Sequence, residues 1–388
     1  MYGLVINVSN IISPLCYSLI RVEPFNTCGF KCTYCYARWY RVSDEVIKPN
    51  YRSVIEFKVV AKKVYRRGLK PIPARLSTLS EPFQYVEELY KISLEVLNYA
   101  LKYEYPLIIN TKSTLIAKDP WFKFVRKLSE RGLVIVQFSF STFMDNLAKV
   151  IEPIAPKPSE RLKALSLLND AGVPIVIRLS PFIPKVSLYG YELTELIGKL
   201  RELGIKHVIV ESIRLPKEEL IELFRKFNVD VGSLRGYSLH TVEGKEPLYR
   251  PDHEVTYGDY LRLKELLSKN GIGFSTCKEG LFSLHTSSDC CGMYLLKTDY
   301  VKRVTLYEVY KELREMRELP IDRVEMLINE LCSKQGYICA RNMSSYPKRI
   351  KRRFKAHELR LIRVIKNSRL LTHASPEFEV HEGIIKVR

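Results

Sequence analysis

The sequence predicts an α/β fold built on a parallel sheet or barrel, and two observations support this. Between residue 17 and about residue 212, short apolar strands alternate with amphipathic helices, the βα rhythm of parallel sheets. Gly132, Gly172 and Gly204 each stand between a predicted helix and the next predicted strand, where a C′ glycine ends a helix. After residue 213 the pattern loosens into more polar, irregular sequence.

The predicted elements follow in order along the chain. Strands are expected at 17–22, 72–79, 105–111, 132–140, 173–180 and 206–212. The helices between them are expected at 52–67, 85–103, 119–131, 159–171 and 191–203. Further helices are predicted at 216–227, 257–269, 304–317 and 321–333, with a strand-like segment at 272–277 and an edge strand at 377–388. We expect three regions: a barrel at 1–212, a cysteine-containing extension at 213–343 and a basic tail at 344–388.

Composition limits the classes of protein to which this chain can belong. Its hydrophobic content of 46% is that of a globular protein, and no apolar run approaches the roughly 20 residues that span a bilayer. The apolar opening at 1–14 lacks a basic n-region, so we expect a cytoplasmic protein without a signal peptide. Nine cysteines, an odd number, argue against a secreted disulfide framework. Three glutamines beside abundant Lys, Arg, Ile and Val are typical of a thermophile.

The net charge of +19 favours anionic partners such as nucleic acid, anionic lipid or phosphorylated metabolites. Nearly half of this excess lies in the segment 348–369, which has ten basic residues and one acid. Tyr346 and Phe354 stand among these charges, as in segments that hold RNA or single strands. The apolar positions Leu359, Ile362 and Ile365 also fit a docked helix with a solvated basic face. A helix lying on a membrane surface is the third interpretation.

Three cysteines near the start of the chain form the most informative motif. Cys28, Cys32 and Cys35 have the spacing C-x3-C-x2-C, with Tyr34 and Tyr36 on either side of the third cysteine. Three thiolates on a four-iron cluster leave one iron open for a non-protein ligand. A zinc knuckle and three buried thiols are the alternatives, but structural zinc sites prefer four ligands. The spacing therefore predicts a [4Fe-4S] cluster.

This motif resembles that of the radical S-adenosylmethionine (SAM) enzymes. Other motifs resemble the spore photoproduct lyase-like branch of that superfamily: EPFQ after strand two, TKS after strand three, Glu152-Pro153 after strand four, and Pro-x-x-Pro ending strand five. The match covers residues 17–185. It implies a partial (β/α)6 barrel of the TIM type, followed here by an α+β extension, with the cysteine loop at the C-terminal mouth.

The resemblance also implies a chemistry. The open iron would bind SAM, and one electron from a donor such as ferredoxin or flavodoxin would release a 5′-deoxyadenosyl radical that abstracts hydrogen from a substrate. Most of the superfamily has a glycine-rich turn after strand two with an acid that holds the SAM amine, whereas this chain has LSTLSEPFQ. By position, the implied cofactor-binding residues are Tyr34, Ser80, Glu81, Lys112, Ser139, Ser141 and Arg178. Alternatively, Glu81 and Lys112 are ordinary charged residues of solvated loops, and the serines are ordinary hydroxyl residues at strand ends.

Five later cysteines predict a second site. They are Cys277, Cys290, Cys291, Cys332 and Cys339, and they lie in polar, turn-rich sequence. A second iron–sulfur cluster is the first interpretation. Zinc with His285 nearby, disulfides or a redox-active thiol are the alternatives. Cys16 is expected to be a buried apolar thiol.

The substrate remains open at the level of sequence. Charge and family branch favour nucleic acid, through RNA modification or repair of a DNA lesion. A lipid, peptide or small metabolite is the alternative, and an iron–sulfur binding or regulatory protein that never cleaves SAM is a different class. The DNA-repair lyase of this branch has a hydrogen-donating cysteine near its SAM cluster, and no cysteine follows strand three or four here. A thymine-dimer lyase is therefore not expected.

Overall fold

A computed structural model describes residues 4–5, 12–40, 46–230, 232–236 and 246–388. The predicted opening at 1–14 and the irregular stretch 229–255 fall partly outside these ranges. All six predicted strands are present and run parallel, each beside its neighbour in sequence. They are β1 (Ile20–Val22), β2 (Ala74–Leu76), β3 (Leu107–Thr111), β4 (Val134–Phe140), β5 (Ile175–Phe182) and β6 (His207–Ser212).

A seventh strand, Gly273–Thr276, extends this sheet beyond β6. It pairs parallel with β6, with Phe274 opposite Val208. The sheet therefore includes a segment from the predicted extension. Among the described strands, none pairs the seventh strand with β1, so the sheet is a partial barrel and the predicted fold class is confirmed.

The helices predicted between the strands are present as Tyr51–Arg66, Glu87–Tyr90 with Ile92–Lys102, Trp121–Glu130, Pro158–Asp170 and Leu193–Glu202, and the next two as Lys217–Lys226 and His253–Lys269. The sequence does not predict Asp145–Ile151 or the short helices Ile12–Leu15 and Ala37–Tyr40. The predicted helix at 85–103 is divided in two because Lys91 has a left-handed φ of 51°. Gly132, Gly172 and Gly204 all have positive φ, as C′ glycines require.

Among the described residues, the chain after β6 adds further helices and three small sheets. These further helices are Leu306–Met316, Val324–Leu331, Lys348–Ile365 and Ser368–Ala374. The chain ends in a hairpin of Phe378–His381 and Ile384–Val387, joined by Glu318–Pro320. Lys302–Arg303 pairs with Tyr337–Ile338, and Leu248–Pro251 lies between Leu215–Pro216 and Leu234–Gly236. The single-turn 3-10 helices are Leu115–Ala117, Phe282–Leu284, Met293–Leu295, Ile321–Arg323 and Ala340–Asn342.

The predicted basic tail contains a docked helix, Lys348–Ile365, which we call the basic helix. Ile350 and Phe354 pack into the core around the main sheet, whereas Leu361 and Val364 pack into a second core among the C-terminal helices. Arg303 donates to the carbonyl of His357 at 3.1 Å, which fixes the middle of the helix. The helix therefore joins both cores while its basic side chains remain outside. No helix within the described ranges is long and apolar enough to cross a bilayer.

The seventh strand gives a first prediction. Phe274 is fully buried in the core around the main sheet, so Phe274→Ala is expected to lower the free energy of unfolding by about 3–5 kcal/mol. Leu89 is 77% exposed, and Leu89→Ala should change it by less than about 0.5 kcal/mol. Denaturant unfolding of the two apo variants measures both values. Equal, small effects would mean that the strand is not part of the core.

Candidate active site

A cavity of about 1730 Å³ lies at the carboxyl ends of the main strands. All three cysteines of the loop motif line it, so the geometry brings Cys28, Cys32 and Cys35 to one space. Six of the seven predicted cofactor-binding residues line it as well: Tyr34, Ser80, Glu81, Lys112, Ser139 and Arg178. Ser141 is the exception, because its side chain is fully buried beside the cavity.

The cysteine loop is clamped by Gln84, the last residue of the EPFQ motif. The side-chain oxygen of Gln84 accepts from the backbone N–H of Gly29 at 2.8 Å, and its amide nitrogen donates to the carbonyl of Thr27 at 3.1 Å. Within the loop, the N–H of Cys35 donates to the carbonyl of Cys32 at 3.1 Å. These bonds hold the loop in a turn from which its cysteines reach the cavity.

The chemistry of the loop thiols fits a metal cluster. Burial raises the pKa of Cys28 to about 12, and burial together with the nearby Glu152 raises the pKa of Cys32 further. Thiolates at these positions therefore need a cation to balance their charge, and a bound metal supplies it. Three thiols from one short loop, facing one cavity, are the donor set that a [4Fe-4S] cluster with one open iron takes.

Glu152 is the centre of a buried polar network beneath the loop. It accepts hydrogen bonds from Tyr34, from Arg161 and, at 2.7 Å, from Ser141. The ammonium of Lys112 lies 3.9 Å from the same carboxylate and 5.7 Å from the centre of the Tyr34 ring. Burial opposes ionisation, but Arg161 and Lys112 hold the pKa of Glu152 below its usual value. The network ties the cysteine loop to the exit of β4.

The turn after β2 is wrapped around another buried carboxylate, that of Glu23. The backbone N–H groups of Thr78 and Leu79 donate to it at 2.7 and 2.9 Å. The hydroxyls of Ser77, Thr78 and Ser80 donate at 2.8, 2.7 and 2.9 Å. Glu23 thus gives this turn an internal anion around which to fold. The Ser80 hydroxyl is oriented by this bond.

Glu81 is buried and does not behave as a solvated turn acid. Its carboxylate accepts from the hydroxyl of Thr111 at 2.6 Å and from the backbone N–H groups of Lys112 and Phe83 at 2.8 and 3.1 Å. Burial nevertheless raises the pKa of Glu81 above its usual value. The acid therefore joins the turn after β2 to the end of β3 and places Lys112 beside it at the cavity.

The other wall of the cavity is rich in cations. Glu211 accepts from Arg178 at 2.6 Å, from Lys278 at 2.8 Å and from Arg214. These cations outweigh the cost of burial and hold the pKa of Glu211 well below its usual range. The buried arginine on β5 therefore has a carboxylate partner, which a charged residue inside a barrel requires. Gln137 on β4 also accepts from Arg178 at 3.3 Å.

The structure divides the five later cysteines into two groups. Cys332 and Cys339 form a disulfide, with Cα atoms 5.7 Å apart. Glu358 lies with them in a compact donor group, but the two sulfurs are already bonded to each other and cannot serve as thiolate ligands. This removes both residues from the predicted second metal site. Cys277, Cys290 and Cys291 line the main cavity.

His285, the predicted zinc neighbour, does not line the cavity with these cysteines, and its Nε2 shares a hydrogen bond with Thr276 at 2.9 Å. Cys16 is half-buried and does line the cavity, although the sequence predicts only an apolar core thiol.

Sequence reasoning missed several charged residues of the site. Glu23, Arg75, Glu211 and Lys278 all contact cavity-lining groups. Each stands in or directly beside a short apolar strand. Since charged side chains are rarely buried without a partner, that position is the signal that could have found them.

Comparison with known proteins agrees with this geometry. A family model of the radical SAM superfamily matches residues 22–189, which include the last residue of β1, the cysteine loop and β2 to β5. Residues 22–189 are a radical SAM domain. The radical SAM resemblance that the cysteine motif predicts is therefore confirmed for this part of the chain.

Relatives of known sequence match about half of the chain. An uncharacterized protein of Acidianus two-tailed virus is 29% identical over 219 residues, which cover 52% of this chain and 71% of the viral protein. An uncharacterized protein of Mycobacterium tuberculosis is 25% identical over 203 residues, covering 50% of this chain and 58% of that protein.

Solved structures with a similar fold include a spore photoproduct lyase mutant (14% identical, TM-score 0.49, 67% of this chain and 76% of that one). SuiB of Streptococcus suis bound to S-adenosylmethionine is also similar (14% identical, TM-score 0.43, 69% of this chain and 52% of that one).

The Glu152 network gives the second prediction. Glu152→Gln leaves Arg161 charged and fully buried without a counter-ion, so we expect a loss of about 3–5 kcal/mol in the free energy of unfolding. The double variant Glu152→Gln/Arg161→Met should lose less than the sum of the two single variants.

The matched control is Glu195→Gln, which breaks an exposed ion pair with Lys199 and should leave the free energy of unfolding almost unchanged, because solvent screens such pairs. Denaturant unfolding of the four variants measures these differences. Strict additivity of Glu152→Gln and Arg161→Met would show that the two side chains do not act as a pair.

Proposed function

We propose that this radical SAM enzyme cleaves SAM reductively and abstracts hydrogen from a nucleic acid, in RNA modification or in repair of a DNA lesion. The single observation that carries the choice of substrate is the continuity of the cavity. The space lined by the loop cysteines is also lined by the basic helix. An anionic polymer held by that helix would lie across the mouth of the site where the radical is formed.

Residues already described would hold the cofactors. Cys28, Cys32 and Cys35 would ligate the [4Fe-4S] cluster, which together with SAM supplies the radical chemistry. Glu81 would accept from the SAM amine, because its buried carboxylate faces the cavity. Lys112 would pair with the SAM carboxylate or donate to the ribose.

Other predicted residues would act around these. Ser80 and Ser139 line the same space, where Ser139 would donate to the ribose and Ser80, which donates to Glu23, would accept from it. Tyr34 would form part of the wall beside the cluster. Ser141 would act indirectly, since its hydroxyl is already bound to Glu152. Arg178 would supply positive charge at the far wall.

The rim of the cavity is positively charged on two helices. Lys348, Arg349, Arg352 and Arg353 of the basic helix line it, and Arg52, Lys63 and Arg67 line it from the helix Tyr51–Arg66 and its end. Glu56 neutralises part of this charge by pairing with Arg349 at 3.0 Å. Phosphate groups are the anions that such a row of guanidinium and ammonium groups binds.

The aromatic residues of the basic segment do not support base stacking. Phe354 is buried in the main core, and the ring of Tyr346 is buried while its hydroxyl donates to the carbonyl of Lys70 at 2.6 Å. Both rings are used in packing the helix against the barrel. The nucleic acid proposal therefore depends on phosphate contacts. Neither of these two rings is available to stack on a base, contrary to the sequence prediction.

A lipid, peptide or small phosphorylated metabolite is the second candidate class of substrate, because the same cations bind any anionic group. An electron donor such as ferredoxin or flavodoxin would complete the system in either case. An iron–sulfur protein that never cleaves SAM is the remaining alternative. Analysis of the SAM cleavage products distinguishes such a protein from an enzyme of either substrate class.

The third prediction concerns SAM cleavage. The anaerobically reconstituted protein, given SAM and a strong one-electron reductant, is expected to form 5′-deoxyadenosine. A variant with Cys28, Cys32 and Cys35 replaced by Ala should form none. Chromatography of the nucleoside products measures both. A cluster-loaded wild-type protein that forms no 5′-deoxyadenosine would favour the regulatory alternative.

The fourth prediction concerns the basic rim. Lys348, Arg352 and Arg353 are exposed and line the cavity, and replacing all three by Gln should weaken binding to duplex DNA or tRNA. For duplex DNA the slope of log K against log salt should fall by about 2.7, which corresponds to three lost phosphate contacts. Fluorescence anisotropy across a salt series measures the slope.

The matched control removes three exposed charges that do not line the cavity: Lys355, Arg363 and Arg369. Both triple variants change the net charge equally, so only contact at the rim distinguishes them. The same loss of affinity in both would point to a diffuse charge effect. Binding that does not depend on salt, or no binding at all, would contradict a nucleic-acid substrate and favour a peptide or a small metabolite.

A further inference from the structure

Four cysteines outside the loop motif line the same cavity: Cys16, Cys277, Cys290 and Cys291. They come from three separate parts of the chain, namely the segment before β1, the end of the seventh strand and the loop after it. With three cysteines in the loop motif and two in the disulfide, these are all that remain of the nine. The fold therefore gathers every remaining thiol into one place.

The four side chains are close neighbours and are shielded from solvent. The sulfurs of Cys290 and Cys291 lie 3.8 Å apart. Burial, with Cys291 and Cys277 nearby, raises the pKa of Cys16 to about 11. Three of the four are buried, and Cys16 is half-buried. Each thiol thus has at least one other thiol of the group as a neighbour.

Cations surround this group of thiols. A guanidinium nitrogen of Arg75 donates to the sulfur of Cys291 at 3.3 Å. Arg178 and Lys278 both lie near Cys277. Glu211 accompanies Arg178 and Lys278, whereas Arg75 donates to the neutral side chains of Asn110 and Gln137 as well as to Cys291. Burying a cation such as Arg75 is costly unless an anion accompanies it. A set of metal-bound thiolates is an anion of the required sign.

The spacing of the sulfurs favours a cluster over a single zinc ion. Among the described residues, no three of these four sulfurs lie within 4.8 Å of one another. Four thiolates on one zinc ion are roughly 3.8 Å apart, as a tetrahedron with 2.3 Å bonds requires. Cys290 and Cys291, whose sulfurs are 3.8 Å apart, could share one metal ion, but one ion cannot reach the whole set, whereas a cluster offers several irons to which the other thiolates can bind.

We propose that Cys16, Cys277, Cys290 and Cys291 bind a second iron–sulfur cluster in the cavity that also holds the loop motif. This ligand set differs from the sequence prediction, because Cys16 takes the place of Cys332 and Cys339. Arg75 and Arg178 offset the negative charge of the cluster. The inference does not depend on the identity of the substrate.

Iron and sulfide analysis after anaerobic reconstitution tests this site. With two four-iron clusters the wild type should hold about eight irons, and Cys28→Ala/Cys32→Ala/Cys35→Ala should keep about four. Cys16→Ser/Cys277→Ser should keep the cluster of the loop motif and lose the other. The control Cys332→Ser/Cys339→Ser should have the iron content of the wild type. Circular dichroism verifies that each variant is folded.

The variant lacking the loop cysteines is decisive, because it leaves all four proposed ligands in place. A paramagnetic iron–sulfur signal in this variant after reduction, absent when Cys16 and Cys277 are also replaced, would support the proposal. A folded variant that retains no iron, or that retains one zinc ion instead, would overturn it. Unchanged iron in Cys16→Ser/Cys277→Ser would overturn the ligand assignment.

Discussion

Buried carboxylates hold the mouth of this barrel in shape. Glu23, Glu81, Glu152 and Glu211 are all almost fully buried, and each accepts several hydrogen bonds from residues of the surrounding strands, helices and loops. An ionised carboxylate inside a protein is stable only when donors and cations surround it. Once these acids are fixed, the loops that carry the cysteines, Lys112 and Arg178 have little freedom to move apart. The arrangement of the cavity therefore depends on charge pairing as much as on the parallel sheet.

The sequence predicts the barrel well because its signals are local. Apolar strands, amphipathic helices and C′ glycines each occupy a few consecutive residues, so all six strands and the spacing of the loop cysteines could be read directly. The same holds for the EPFQ motif, whose Glu81 and Gln84 join neighbouring loops. What the sequence could not supply is the partner of each charged residue. The pairing of Arg178 with Glu211 joins two strands that are separated by a helix.

The second group of cysteines illustrates the same limit. Cys332 and Cys339 are near each other in sequence and pair with each other, whereas Cys16 and Cys291 are 275 positions apart and line one wall. Spacing along the chain is informative for a tight loop such as the one at Cys28–Cys35. It says little about residues that are brought together only when the seventh strand joins the sheet beside β6.

The basic helix packs against both hydrophobic cores and also lines the cavity. Its apolar face joins both hydrophobic cores, so removing the segment after Met343 would expose core residues such as Phe354 and Leu361 as well as delete charge. Its exposed cations at the rim and the buried cations at Arg75 and Arg178 lie along one continuous cavity. A positive electrostatic potential along a cleft with low-dielectric walls raises the local concentration of anions. The helix thus adds positive charge at the rim, while Glu211 balances part of the positive charge of the interior.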